Sequence, residues 1–467
     1  MGASTRGDVL AGRAGLEGIR SLLYGRATRS LLHEDLTGLL KPAATPARLR
    51  LERAKLKPGR KLTGYYLVAV RTDTGMATRA VEVAWSADFE QTQQPAEAAM
   101  EEEARVQGVA APFHTLRRTS TKLGARIAVS PLDAAYPQLL RLYRPDHVRS
   151  LLATVYSEAG DTDLTAPEYN VTTVRYRPRQ RHVLRYDPVV PGGAGSVFAK
   201  LYPAGRAERA LRIATTIADR VERQGVRVAA AHPLGGSLTD EVVLFARLAG
   251  VPLTRRLWTD PASTGRHLAM AGVLLRCLQT DPGALGSDLT LRNVEGETRA
   301  VARAAEHLGP LDAALGQQVV RLLDGVRSRD TTIPAEEPCF SHGDYKSDHL
   351  WVARDRLTLI DFDTCCLAEP ALDVGKFLAD LAWWHLIGGR SGLGEAQHRF
   401  LDGYGAMPSE RLARARLYEV LILTKIVIRR LRRFEPDWAQ RTAGLLGQAE
   451  HLLKAGPPVS AAARAAP

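Results

Sequence analysis

Ser341-His342-Gly343-Asp344-Tyr345-Lys346-Ser347-Asp348-His349-Leu350, followed by Leu359-Ile360-Asp361-Phe362-Asp363, is the stretch on which the reading of this chain turns. The apolar alternation of Leu350-Trp351-Val352 and Leu357-Thr358-Leu359-Ile360 predicts two short strands joined as a hairpin. Asp344 and Asp361 flank that hairpin, 17 positions apart, so its closure brings both to one mouth. Isolated aspartates at strand ends are mostly turn formers or helix caps. A linked pair suits phosphoryl transfer, in which one carboxylate faces a substrate hydroxyl and a second holds the metal that shields the phosphates.

The two segments together resemble the aminoglycoside phosphotransferase and choline kinase superfamily, whose signature is His-Gly-Asp, four residues, Asn, and then a strand ending in Asp. Ala368-Glu369-Pro370-Ala371-Leu372-Asp373-Val374-Gly375 is similar to the family's Gly-Asp-Pro and Asp-Leu segment. One departure stands out: His349 occupies the family's Asn position. The resemblance implies an α+β, protein-kinase-like two-lobe fold, with a small antiparallel-sheet N-terminal lobe and a helical C-terminal lobe. It also implies ATP and Mg²⁺, with ATP bound between the lobes, and a small-molecule hydroxyl acceptor such as a sugar, an amino alcohol or an aminoglycoside-like compound.

Residue by residue, the resemblance makes Asp344 the base and Asp361 the metal ligand, with His342 a scaffold for the loop and Asp373 an anchor capping the following helix. Lys346 has the offset of the lysine in the related protein-kinase loop, where an ammonium neutralises charge on the transferring group; the other reading is a solvated surface lysine. At His349 two readings stand. Mg²⁺ favours oxygen ligands and imidazole suits softer metals, so a metal-binding His349 brings Mn²⁺ in as an alternative, with Asp348 available as an extra carboxylate. Otherwise the ring only hydrogen-bonds Asp344 or a nucleotide oxygen. A non-catalytic nucleotide-binding scaffold is the rival function, and His349 is what sustains it.

The same resemblance directs attention upstream. Ser196-Val197-Phe198-Ala199-Lys200-Leu201-Tyr202 is a short apolar strand with one lysine, 144 residues before Asp344, and is similar to the family's phosphate-binding Lys strand. Before it, 171–177 and 181–186 predict a hairpin whose Pro178-Arg179-Gln180 turn would cover the phosphates. That turn has no glycine-rich sequence, so a cradle would rest on backbone and on Arg175, Arg177, Arg179 and Arg181. Glu208 is the preferred ion-pair partner of Lys200, with Glu222 as the alternative. Phe245, Ala246 and Arg247, at the end of the next buried strand, stand where backbone groups would hold adenine.

From about residue 262 apolar residues recur at helical spacing, over 267–278, 301–308, 311–326, 397–404 and 409–433. The expected organisation is an appended N-terminal basic α+β domain over 1–165, a kinase-like small lobe over 166–253, a helical lobe over 254–454, and a disordered Ala/Pro-rich tail over 455–467. Lys55 to Val68 echoes Val174 to Tyr186, each a basic strand, a Pro-centred turn and a returning strand. This suggests an internal repeat, unless hairpin chemistry alone accounts for it.

Composition bounds the remaining possibilities. The chain has 467 residues, 45% hydrophobic and 24% charged, which is ordinary for a globular protein. Residues 1–150 carry 23 Lys and Arg against 15 Asp and Glu, two thirds of the +12 net charge. The basic balance favours an anionic partner, but no nucleic-acid motif accompanies it, so nucleic acid is not expected. Four cysteines without metal-ligand or disulfide spacing suit a reducing cytoplasm. No apolar run reaches membrane-spanning length, and oligomeric state leaves no mark on the sequence.

Overall fold

The computed structural model describes residues 6–11, 15–57, 59–89, 95–161, 166–190, 195–224, 227–260, 262–279, 283–306, 308–309, 312–429 and 437–455. The chain divides into two compact units, Met1–Leu211 with Pro233–Arg247, and Arg212–His232 with Leu248–Pro467.

The first unit holds two five-stranded antiparallel sheets. Strands β1 (Thr45–Lys57), β2 (Lys61–Thr72), β3 (Gly75–Ser86), β4 (Arg117–Ser120) and β5 (Ala125–Val129) lie in the order β1-β2-β3-β5-β4, with the helix Pro95–Val106 between β3 and β4. Strands β6 (Tyr169–Arg177), β7 (Arg181–Pro188), β8 (Val197–Leu201), β10 (Pro233–Ser237) and β11 (Val242–Ala246) lie in the order β6-β7-β8-β11-β10; β9 (Val228–Ala230) belongs to the second unit. The helix Ala207–Glu222 follows β8, the third strand of this sheet, as Pro95–Val106 follows β3. The echo between the two hairpins therefore extends to complete sheets of one strand order, each with a helix after its third strand. Pro58, the centre of the first turn, lies outside the described residues.

Period-two burial sets one face of the second sheet. Leu184 and Tyr186 of β7, Val197, Ala199 and Leu201 of β8, and Val242 and Leu244 of β11 form one apolar layer. Against it packs the helix Pro145–Glu158, whose buried Val148, Leu151, Leu152, Val155 and Tyr156 recur at helical spacing. Pro145 fits its first turn, where no amide hydrogen bond is lost. Each fully buried Leu or Val stabilises by about 1.5–3 kcal/mol. This one cluster takes residues from both sides of position 165, from Tyr136 to Leu244.

In the second unit β12 (Val251–Pro252), β15 (Leu350–Ala353), β16 (Arg356–Leu359) and β9 form a sheet in the order β12-β15-β16-β9. Strands β13 (Thr290–Arg292), β14 (Cys339–Ser341) and β17 (Cys366–Ala368) form another in the order β13-β17-β14. Helices occupy Gly265–Leu278, Val294–Ala305, Ala313–Asp330, Ala371–Ile387, Leu393–Tyr404, Ser409–Arg429 and Trp438–Ala455. The helix expected over 301–308 begins at Val294 because Asn293 caps it, accepting from the Gly296 amide at 2.8 Å. Ala371–Ile387 is buried on nearly every side and lies against Ser409–Arg429 so closely that a Cβ on Gly375 would meet the Ala415 carbonyl oxygen at 2.3 Å. The basic end of the helix expected through Arg433, and the tail beyond Ala455, lie outside the described residues. Among the described residues no helix is long and apolar enough to cross a membrane, and all four cysteines are free.

Candidate active site

The hairpin predicted beside Asp344 is β15 and β16, with Leu350 opposite Leu359 and Val352 opposite Leu357. At its open end the Ile360 amide donates to the His349 carbonyl at 3.0 Å. The next residue, Asp361, has a left-handed backbone, φ 70°. For a residue with a Cβ this conformation costs about 1–2 kcal/mol and is characteristic of functional turns.

Asp344 sits on a loop fixed from several directions. His342 is wholly buried, and its Nε2 donates to the Ile360 carbonyl at 3.1 Å, which leaves Nδ1 to accept from the Asp344 amide at 3.3 Å. Gly343 has φ +74°, and a Cβ there would come within 2.2 Å of the Thr364 carbonyl oxygen. Arg292 donates to the Gly343 carbonyl at 3.2 Å while its guanidinium is paired with Glu297 at 2.6 Å. Tyr345, buried against Phe377, donates its hydroxyl to the Ala271 carbonyl at 2.7 Å.

A further direction is the helix Ala371–Ile387, and the sequence reading of it is only half right. Asp373 is an anchor, but what it anchors is the loop: its carboxylate accepts from the His342 amide at 2.6 Å and the Gly343 amide at 3.0 Å. Seven residues on, Asp380 accepts from the Ser347 amide at 2.9 Å and from its hydroxyl at 2.5 Å. Between them Lys376 places Nζ 2.9 Å from Asp344 Oδ1. The three residues share one helical face at spacings of three and four. Sequence reasoning passed over Lys376, although the pattern Asp-x-x-Lys-x-x-x-Asp was its signal.

Lys346 contacts the other carboxylate oxygen, Nζ to Oδ2 at 2.5 Å, so it is not a solvated surface lysine. Burial alone would raise the Asp344 carboxyl, but Lys376 and Lys346 outweigh it and hold the group well below the usual carboxylate range. Asp348 accepts from the Thr254 hydroxyl at 2.7 Å.

His349 lies between the two aspartates. Its Nδ1 is 3.1 Å from the Asp344 carbonyl oxygen, an acceptor only, so the proton is on Nδ1. Burial, with Lys346 nearby, brings the imidazole down to about 3 against the opposite pull of Asp361 and Asp344. The ring is therefore neutral, and its bare Nε2 faces Asp361 Oδ2 at 3.3 Å. His349 Nε2 and the Asp361 carboxylate could be two of the ligands of a divalent cation, which would offset phosphate charge; among the described residues no group of three or more such side chains is found.

The upstream residues fall in the first unit. Lys200 lies on β8 between Val183 of β7 and Val243 of β11, with Nζ 5.8 Å from the Tyr202 ring centroid. Glu208 is exposed in the first turn of the helix Ala207–Glu222, and among the described residues no ion pair joins it to Lys200. Phe245 and Ala246 end β11, and the Arg247 amide donates to the Ser196 carbonyl at 3.0 Å. The chain passes into the second unit at the next residue.

The linked aspartates of this site are an arrangement that suits phosphoryl transfer. Residues 189–418, which include Lys200, the Asp344 loop and Asp361, match the model of the phosphotransferase enzyme family. Similar solved structures include a choline/ethanolamine kinase family protein from Mesorhizobium loti, at 19% identity and a TM-score of 0.43, covering 66% of this chain and 94% of that one. A spectinomycin phosphotransferase in complex with ADP and spectinomycin is similar at 14% identity and a TM-score of 0.45, covering 67% and 98%. A choline kinase from Cryptosporidium parvum Iowa II is similar at 10% and 0.45, covering 65% and 95%. No protein of curated function matches the sequence.

Proposed function

We propose that this protein is an ATP-dependent phosphotransferase acting on a hydroxyl of a small molecule. The observation that carries the reading is the cluster Asp344–His349–Asp361, a neutral ring bridging an ion-paired carboxylate and a left-handed aspartate. Asp344 accepts the acceptor's hydroxyl proton through a free lone pair and orients its oxygen. With its carboxyl so strongly held in the ionised form, its main contribution is orientation. Lys346 and Lys376 fix the carboxylate and offset charge that builds on the transferring group. Asp361 and His349 would hold a divalent cation, which when bound neutralises phosphate charge. Lys200 would contact nucleotide phosphates, and backbone groups at 245–247 the adenine.

For the acceptor, the overall charge of the helical part is the available guide. Residues 248–467 carry 27 Lys and Arg against 26 Asp and Glu. A neutral or weakly charged polyol or amino alcohol fits this balance better than a polycationic aminoglycoside.

The test is a screen of purified protein for acceptor-stimulated ADP release, with Mg²⁺ and with Mn²⁺, across sugars, amino alcohols and antibiotics. With the acceptor it identifies, Asp344→Asn should lower turnover about a hundredfold or more while nucleotide binding persists; Asp361→Asn should weaken metal–nucleotide binding itself. Wild-type turnover by Asp344→Asn refutes the assignment, and nucleotide binding without turnover on any acceptor favours a non-catalytic scaffold.

A further inference from the structure

The Gly343 carbonyl belongs to the peptide group that also carries the Asp344 amide, and Arg292, at the end of β13, holds it. Arg292 Nη1 donates to that carbonyl at 3.2 Å, while Nε and Nη2 both donate to a single oxygen, Glu297 Oε1, at 2.9 and 2.6 Å. Glu297 stands in the first turn of the helix Val294–Ala305 and is 7% exposed. Its second oxygen, Oε2, accepts from Lys425 Nζ at 2.8 Å, 128 residues away on the helix Ser409–Arg429. One chain of contacts therefore runs from Lys425 through Glu297 and Arg292 to the peptide that precedes the Asp344 side chain.

An arginine and a carboxylate with no other partner favour pairing fork on fork, two parallel N–H···O bonds to two oxygens. Lys425 occupies Oε2, so Nε and Nη2 share Oε1 and Nη1 stays directed at the loop. Burial would raise the Glu297 carboxyl, but Lys425 and Arg292 outweigh it and hold the group below its ordinary value, so it is ionised at neutral pH. The lysine side chain is 20% exposed, and among the described residues Glu297 is the acid it pairs with.

The peptide at the end of this chain needs an outside constraint. Gly343 has φ +74°, and glycine alone would not hold that shape against the alternatives open to it. Asp373 binds its amide from one side, and the Arg292 guanidinium binds its carbonyl from the other, so close that a Cβ on Gly343 would lie 2.6 Å from Nη1. Rotation of this peptide would displace the Asp344 carboxylate, and a misplacement of about 1 Å at a reacting group can slow a reaction about a hundredfold.

We infer that Lys425 and Glu297 are positioning residues for the transfer step: by claiming one oxygen of Glu297, Lys425 aims the Arg292 guanidinium at the Gly343 carbonyl and so sets Asp344 against the acceptor hydroxyl. The inference rests on the phosphotransferase reading and extends it to a helix that carries none of the residues assigned to the reaction.

The experiment takes the full chain as wild type, Lys425→Met, Lys425→Arg, Arg292→Met and the double variant of Lys425→Met with Arg292→Met. With the acceptor found by screening it measures turnover, the Michaelis constant for ATP, ADP affinity by calorimetry and the melting temperature. Lys425→Met should lower turnover about tenfold or more with both nucleotide parameters within about twofold, and Lys425→Arg should recover most of the loss. The double variant should turn over no more slowly than Arg292→Met, because the lysine acts only through the guanidinium. Lys425→Gln, polar but uncharged, carries the same expectation should Lys425→Met fold poorly. A lower melting temperature with wild-type turnover would reduce the three residues to a structural ion pair and overturn the inference. A double variant slower than Arg292→Met would overturn it too, as would a loss of nucleotide affinity in step with turnover. Each of these outcomes leaves the phosphotransferase reading intact, whereas a wild type without turnover on any acceptor removes both.

Discussion

Lys376→Met tests the residue that the geometry of the loop adds to the expected machinery. The ammonium lies 2.9 Å from Asp344 Oδ1, with the lysine side chain 15% exposed and the aspartate 26%. At that depth solvent replaces little of the lost interaction. A hydrogen bond to a charged group contributes about 1.5–3 kcal/mol; if it is fully realised in the transition state, its loss slows turnover by roughly 10- to 100-fold. Methionine keeps most of the length and apolar volume of the stem, so the packing of the helix Ala371–Ile387 should survive, and Lys346 remains on Oδ2. The expected result is a fall in turnover of that size, with ATP affinity within about twofold and partial recovery in Lys376→Arg. Steady-state kinetics on the acceptor found by screening, beside a thermal melt, are sufficient. Wild-type turnover in Lys376→Met would show that the second ammonium is ornamental and refute the reasoning.

Two further outcomes concern the loop and its surroundings. Gly343→Ala combines a left-handed backbone with a Cβ 2.2 Å from a carbonyl oxygen, so it should cost about 2 kcal/mol or more and lower the melting temperature by roughly 4–8 °C; a melt within about 1 °C of wild type would contradict that strain. Burial pushes the Cys339 thiol up to about 11 and the Cys366 thiol up to about 12, so both stay protonated at neutral pH. Peptide mapping after iodoacetamide treatment near pH 8 should find them unmodified in the native protein and labelled in denaturant; rapid native labelling of Cys366 would speak against it.

Much of the site was legible because its signals are local. The alternation of Leu350 to Ile360 forces a hairpin, and a hairpin forces its flanking residues together, so the proximity of Asp344 and Asp361 could be read from spacing alone. Lys346 was legible as a candidate for the same reason, two residues from its partner. The rest is set by tertiary neighbours. Asp373, Lys376 and Asp380 act on the loop from a helix buried on nearly all sides, where charged residues among apolar ones were the visible signal but not their target. Arg179 read as a phosphate ligand because its nearest sequence neighbours are basic; its partner Glu82 is 97 residues away and no local pattern links the two. The tautomer of His349 likewise depends on a carbonyl that only the folded loop presents. In the N-terminal part the echo of two hairpins was visible, while the common order of both sheets required the pairing of strands that the sequence does not record.

The continuous core of the first unit bears on how this protein can be cut or recombined. A fragment beginning at residue 189, where the family match starts, would omit β6 and β7 and leave β8 with an open edge of unpaired amides and carbonyls, a template for aggregation. A fragment beginning at residue 166 would keep that sheet yet strip Val148, Leu152 and Val155 from Leu184, Tyr186 and Ala199, exposing their apolar faces to water. The kinase-like part is thus not a portable cassette: a truncation, or a chimera that exchanges helices of the second unit, has to carry the helix Pro145–Glu158 with it.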